Sequence, residues 1–144
     1  MHFQLRYFLL RCRSTIIDFH KWTGPNATHP ELFRVVWEYY GGSGPVFPIY
    51  LQHEGHSRTV IGIERTKRNN FTLLLLDPGI RRARVEELIN SSPKAQASQL
   101  LSCLRKTEAS MKHKQYQLVR VEGMMSGDDE YERAKQHFNL IRIP

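Results

Sequence analysis

Residues 48–79 read PIYLQHEGHSRTVIGIERTKRNNFTLLLLDPG. Two β-rich runs, Thr59 to Glu64 and Phe71 to Leu76, flank the polar loop Arg65 to Asn70. Such a pattern predicts an antiparallel hairpin. Symmetric pairing about the loop midpoint sets His56 opposite Pro78 or Gly79, next to Asp77. One strand then begins with an imidazole where the other ends in a carboxylate. A carboxylate that holds one ring nitrogen leaves the other free to take a proton, the arrangement of a general base and its orienter. Polar residues also sit at hairpin ends for solubility alone, so spacing by itself leaves the dyad open. A nucleophile has to be found elsewhere.

Length and composition narrow the setting. The chain has 144 residues, the size of one domain. Hydrophobic content of 40% and charged content of 24% fit a globular protein with a real core. No apolar run approaches the roughly 20 residues that span a bilayer, so no membrane partner is expected. Tyr7 to Leu10 is too short for the apolar region of a secretory signal. The two cysteines, Cys12 and Cys103, stand far apart and outside any CxxC context. They exclude a disulfide scaffold and a cysteine zinc cluster, and they suit a reducing compartment, the cytoplasm or nucleus. A net charge of +7 and a pI near 9.7 favour an acidic partner, which includes nucleic acid.

Working outward, residues 3–12 read as the last turns of a helix and Ser14 to Phe19 as a buried strand. Thr28 to Glu31 has the spacing of a capping box for a helix that ends near Tyr40. Pro30 is tolerated in its first turn. The expected apolar face is Leu32, Phe33, Val36, Trp37 and Tyr40. Ile49 to Leu51 is a short strand before a loop, Gln52 to Gly55. Phe71 to Leu76, read as an apolar run, is expected in the sheet centre with both faces covered. Helices are expected at Val85 to Ile89, Gln96 to Lys106 and Asp128 to Phe138. Tyr116 to Glu122 is a strand, and Ile141 to Ile143 a final edge strand. The whole is an α/β domain with about five strands.

Other chemistry has weaker support. His53 and His56, with His20, Asp18 and Asp77 as companions, carry the donor types of a zinc hydrolase, but an HxxH in a loop is a weak ligand pattern, and no metal or cofactor is expected. Arg65/Lys67/Arg68, Arg81/Arg82/Arg84 and Lys112/His113/Lys114 are basic clusters that suit phosphates or solvated surface alike. Cys12 and Cys103 lack the helix N-terminus or sequence-adjacent histidine that activates a thiol. Gln52, before the histidine loop, is a candidate donor to a developing oxyanion or a turn cap.

YLQHEGHSRTVIGIE followed by LLLLDPG resembles the ubiquitin-fold-modifier-specific protease family of papain-like cysteine peptidases. The closer likeness is to its zinc-finger-containing ubiquitin peptidase branch. IIDFHKWTGPNATHPELF, KHKQYQLVRVEG and the IRIP end extend the likeness over nearly the whole chain. The resemblance implies a papain-like fold with a mixed, mostly antiparallel sheet flanked by helices. It implies that residues 1–144 are the C-terminal portion of one catalytic domain, incomplete at the N-terminus. It matches His56 to the catalytic histidine and Asp77 to the catalytic aspartate. Gln52 lies in the same motif. The family's nucleophilic cysteine opens a helix upstream, a segment with no counterpart here, so the chain alone is expected to be inactive. The expected partners are ubiquitin, a ubiquitin-like modifier or polyubiquitin, with a non-catalytic module binding such a protein or nucleic acid as the alternative.

Overall fold

The computed structural model describes residues 11–91, 99 and 102–144. The strands are β1 (Cys12–Phe19), β2 (Ile49–His53), β3 (His56–Arg65), β4 (Phe71–Leu76), β5 (Arg105–Thr107), β6 (Tyr116–Met124) and β7 (Asn139–Ile143). The helices are α1 (Pro30–Gly41), α2 (Arg82–Asn90) and α3 (Asp128–Gln136). Among the described residues the sheet has seven strands, in the order β5-β4-β3-β2-β6-β1-β7. Every pairing is antiparallel except β1 with β7. This mixed α/β architecture agrees with the papain-like expectation.

The hairpin forms close to its expected register. Thr59 faces Leu76 and Val60 faces Leu75. Ile61 is then an extra residue, and the pairs beyond it shift so that Gly62 faces Leu74. Such a bulge adds local twist. The strand Phe71–Leu76 lies second from the sheet edge, not at its centre. Thr72, Leu73 and Leu75 are buried, but Leu76 is 49% exposed. Leu73 and Leu75 meet the core on one face; on the other, Thr72 is buried but Leu76 is open.

The face of Leu73 and Leu75 belongs to α1. Leu32, Phe33, Val35 and Val36 bury against Ile49, Leu51, Val60, Leu73 and Leu75. Two tyrosines tie the helix to the sheet: Tyr39 donates to the Val121 carbonyl (2.9 Å) and Tyr40 to the Val60 carbonyl (2.8 Å). Trp37 sits at the margin against Phe71 and remains 36% exposed.

Three expectations are corrected. The capping box does not form: Thr28 Oγ1 donates to the Pro25 carbonyl, His29 holds the N-cap position, and the Glu31 N–H is taken by Thr23 Oγ1 (3.3 Å). The Gly24–Thr28 bridge folds Thr23 into the place a capping hydroxyl would occupy. Arg105 and Lys106 lie in β5 rather than at the end of a helix, because pairing with Leu73 and Leu74 overrides their helical propensity. Cys12 opens a strand, not a helix end. The helix expected over residues 3–12 otherwise lies outside the described residues, as does most of the helix at 96–106.

Candidate active site

The site starts from a two-residue turn. His53 pairs with His56 across Glu54-Gly55, whose φ angles are +41° and +80°. Positive φ at both positions marks the primed turn that matches strand twist. What the sequence reads as a loop from Gln52 is therefore strand as far as His53. Cross-strand pairs share a sheet face, so the two imidazoles lie together, with ring centroids 5.5 Å apart. Arg58, two residues beyond His56, falls on the same face.

Asp77 comes from the other strand of the large hairpin. Its Oδ1 accepts the Gly79 N–H at 2.8 Å, and the Asp77 carbonyl accepts the Ile80 N–H at 3.1 Å. Asp-Pro-Gly thus closes as a side-chain-capped turn. Oδ1 also accepts from His56 Nε2 at 2.9 Å, and Oδ2 accepts from Arg58 Nε at 2.7 Å. Burial alone would raise this carboxyl. The Arg58, Gly79 and His56 donors more than reverse that and lower it to about 2.

An ionised Asp77 only accepts, so His56 Nε2 carries the proton and Nδ1 holds the lone pair. The Asp77 side chain is 15% exposed and the His56 side chain 40%. The carboxylate is enclosed while part of the ring stays open. Gly79 is required for space: a Cβ there would stand 3.0 Å from Asp77 Oδ1 and 3.3 Å from His56 Cε1.

A second layer supports the first. Arg58 Nη1 donates to His53 Nε2 at 2.6 Å. Burial, then the His113, Arg58 and His56 charges, lower the His53 imidazole to about 4, so it is neutral and able to accept. His53 stacks on His113 at 3.8 Å between centroids. His113 Nδ1 lies 3.1 Å from a Glu54 carboxylate oxygen, and the His113 carbonyl accepts from buried His29 Nε2 at 2.9 Å. An open cavity of about 290 Å³ adjoins, lined by Tyr50, Ser57, Arg58, Thr59, Leu76, Asp77 and Pro78.

The zinc ligand types weighed in the sequence, His53 and His56 with His20, Asp18 and Asp77, are not brought together among the described residues. Asp18 is buried elsewhere among Gln115, Gln117 and Arg142, and Asp77 is committed to His56 and Arg58. His53, Glu54 and His113 do bring ligand-type atoms within 4.8 Å. Their chemistry does not fit a metal as arranged. The two rings are stacked 21° from parallel, so their in-plane lone pairs run side by side. The Arg58 donor fills His53 Nε2 and leaves the proton on Nδ1.

Gln52 pairs laterally with Ser57 and Gln117, on the face opposite His53 and His56, and does not approach the imidazole. Cys12 lies at the far end of β1 from Phe19, roughly 23 Å along the strand. Phe19 pairs with Tyr116, whose ring contacts His53, so Cys12 is far from the site. Cys103 lies within electrostatic reach of Arg84 in α2, and no hydrogen bond or ring contact joins it to His56. From the sequence alone Arg58 has no assigned role, His113 only a place in a basic cluster, and Gly79 only a position opposite His56. The period-2 spacing from His56 to Arg58 was a usable signal. His113 comes from the loop before β6, 57 positions after His56 in the sequence, and carried none.

The family model for peptidase family C78 matches residues 3–119. Zinc finger-containing ubiquitin peptidase 1 of Homo sapiens is 43% identical over 146 aligned residues, and the proteins of that name from Mus musculus and Rattus norvegicus are 43% and 42% identical. Each alignment takes in 94% of this chain but 25% of the relative. The chain thus spans about a quarter of the length of these curated relatives. The match includes the hairpin, the histidine turn and the Asp-Pro-Gly turn, and on this evidence the chain belongs to peptidase family C78.

Proposed function

We propose that this chain supplies the general base and its orienter to a cysteine-type peptidase that cleaves after the C-terminus of ubiquitin or a ubiquitin-like modifier, in the cytoplasm or nucleus. The observation that carries the reading is the 2.9 Å contact from His56 Nε2 to a carboxylate with two further donors, in a ring still 40% exposed. Nδ1 of His56 takes the thiol proton. The thiolate attacks the carbonyl carbon, and the imidazolium returns the proton to the leaving amine. Asp77 fixes the ring and stabilises the imidazolium, without itself taking the proton. In this reading the thiol is the one the family likeness places on a helix upstream, since Cys12 lies far along β1 and no hydrogen bond joins Cys103 to His56 among the described residues. As a portion of one catalytic domain, the chain contributes one side of the active site.

The test is a chimera. This chain replaces the matching quarter of the human relative, and hydrolysis of a fluorogenic ubiquitin C-terminal amide is followed. The chimera should turn over, and His56→Gln should lower kcat/KM by about 10³-fold, within the usual range for a lost general base. A His56→Gln chimera that keeps a tenth or more of the rate would overturn the reading. The second reading, a module that binds a ubiquitin-like protein without cleaving it, is favoured by the fact that no thiol is hydrogen-bonded to His56 among the described residues. An inactive chimera that still binds ubiquitin would select it.

A further inference from the structure

Arg58 is neither the base nor its hydrogen-bond partner, yet it touches both the carboxylate and a third buried group. We propose that Arg58 is a positioning residue: it locks the rotation of the Asp77 carboxylate, and His53 is the fixed post that holds Arg58. This rests on the reading of His56 and Asp77 as base and orienter.

Asp77 stands in a turn beyond the end of β4 and has only the Gly79 N–H from its own loop. That bond and the His56 bond both fall on Oδ1. With Oδ1 as the sole anchor, the carboxylate plane can swing about its own axis. The 2.7 Å bond from Arg58 Nε to Oδ2 removes that freedom. A planar guanidinium can do this and also reach a second acceptor, which an ammonium cannot match.

The other end of the fork is anchored by design of the surroundings. The Arg58 side chain is only 15% exposed, an arrangement that requires partners for its charge. His53 is 9% exposed and presents Nε2 as the acceptor at 2.6 Å. Its ring cannot turn away, because His113 stacks on it and Tyr116 meets it edge-on. His113 is itself tied through its carbonyl to His29 at the start of α1. The aim of Asp77 is therefore referred, through Arg58, His53 and His113, to the helix that covers the core. β3 carries both the base and the residue that aims its orienter, two positions apart.

The experiment uses the full 144-residue chain, ¹⁵N-labelled. Long-range ¹H–¹⁵N spectra of the imidazoles identify His56, and solvent exchange of its Nε2–H reads the Asp77 bond. In the native chain this proton should be visible and slow to exchange at pH 7. Arg58→Met should speed its exchange at least tenfold while the backbone amide spectrum keeps its native pattern. Arg58→Lys should restore part of the protection, and His53→Phe should weaken it with Arg58 intact. If Arg58→Met fails to fold, the latter two variants decide alone. Wild-type exchange in the folded variants would overturn the proposal. Loss of the base reading would look different: the proton would behave as described, while the His56→Gln chimera stayed active.

Discussion

Asp77 receives hydrogen bonds from three donors, and the consequence for stability has a definite sign. Its folded value, about 2, lies below the usual 3.8, so the bonds stabilise the fold above about pH 4. That contribution is about 2 kcal/mol and is lost as pH falls from about 4 to about 2. His53 acts over a higher window. Its folded value of about 4 lies below the usual 6.5, so the unfolded chain takes up the proton first. Stability is complete above pH 6.5 and falls by about 3 kcal/mol on the way down to pH 4. Buried His29 is lowered too and adds in the same direction. Urea unfolding from pH 7.5 to pH 2.5 should therefore show two successive losses, roughly between 6.5 and 4 and then between 4 and 2. His53→Phe should shrink the first, and Asp77→Asn should remove the second and cost about 2 kcal/mol at pH 7. A flat profile in His53→Phe and wild type alike would contradict the burial of that ring.

At the scale of elements, two turns hold the dyad, and each makes a prediction. Glu54 has φ of +41°, a conformation in which an L side chain other than Asn, Asp or Gly is strained. Its carboxylate is mostly exposed, so the pair with His113 contributes little. Glu54→Asn should stabilise the chain by about 1 kcal/mol, read as a higher urea midpoint. Gly79 works by space rather than by φ. Gly79→Ala should press the added methyl between Asp77 and His56 and lower kcat in the chimera on the order of tenfold, with little change in KM. These elements also show what the sequence made legible. The hairpin was readable because β-rich runs and a polar loop set its register to within a residue, which was enough to bring His56 to Asp77. The capping box was not, because a Thr–x–x–Glu spacing says nothing of a bridge that delivers Thr23 instead. The Ile61 bulge left no mark, since its pattern is that of an unbroken strand.

For the whole molecule, the sheet extends further than alternation and propensity could reveal. β5 is three residues, Arg-Lys-Thr, and pairs only because Thr72–Leu74 offers an edge. β7 runs parallel to β1, a long-range choice no local pattern encodes. The ion pairs leave the excess of +7 unchanged, but they occupy members of the basic clusters. Arg82, Arg84 and Arg105 bind Glu86, Glu87 and Glu64. Among the described helices none is long and apolar enough to cross a membrane. The placement of the thiols gives the prediction at this scale. A ubiquitin-based electrophilic probe should label neither Cys12 nor Cys103 of the chain by itself, checked by intact mass and peptide mapping. Labelling of either would relocate the nucleophile.

The central claim is that His56 and Asp77 act as one unit, and its most direct measurement is a double-variant cycle in the chimera. kcat/KM for the ubiquitin amide is compared among His56→Gln, Asp77→Asn and the pair together. Residues that share one catalytic task are strongly non-additive, so the double variant should be no slower than His56→Gln by more than about threefold. Losses that multiply, with Asp77→Asn costing the same whether or not the imidazole is present, would show that the two groups work apart and would contradict the account.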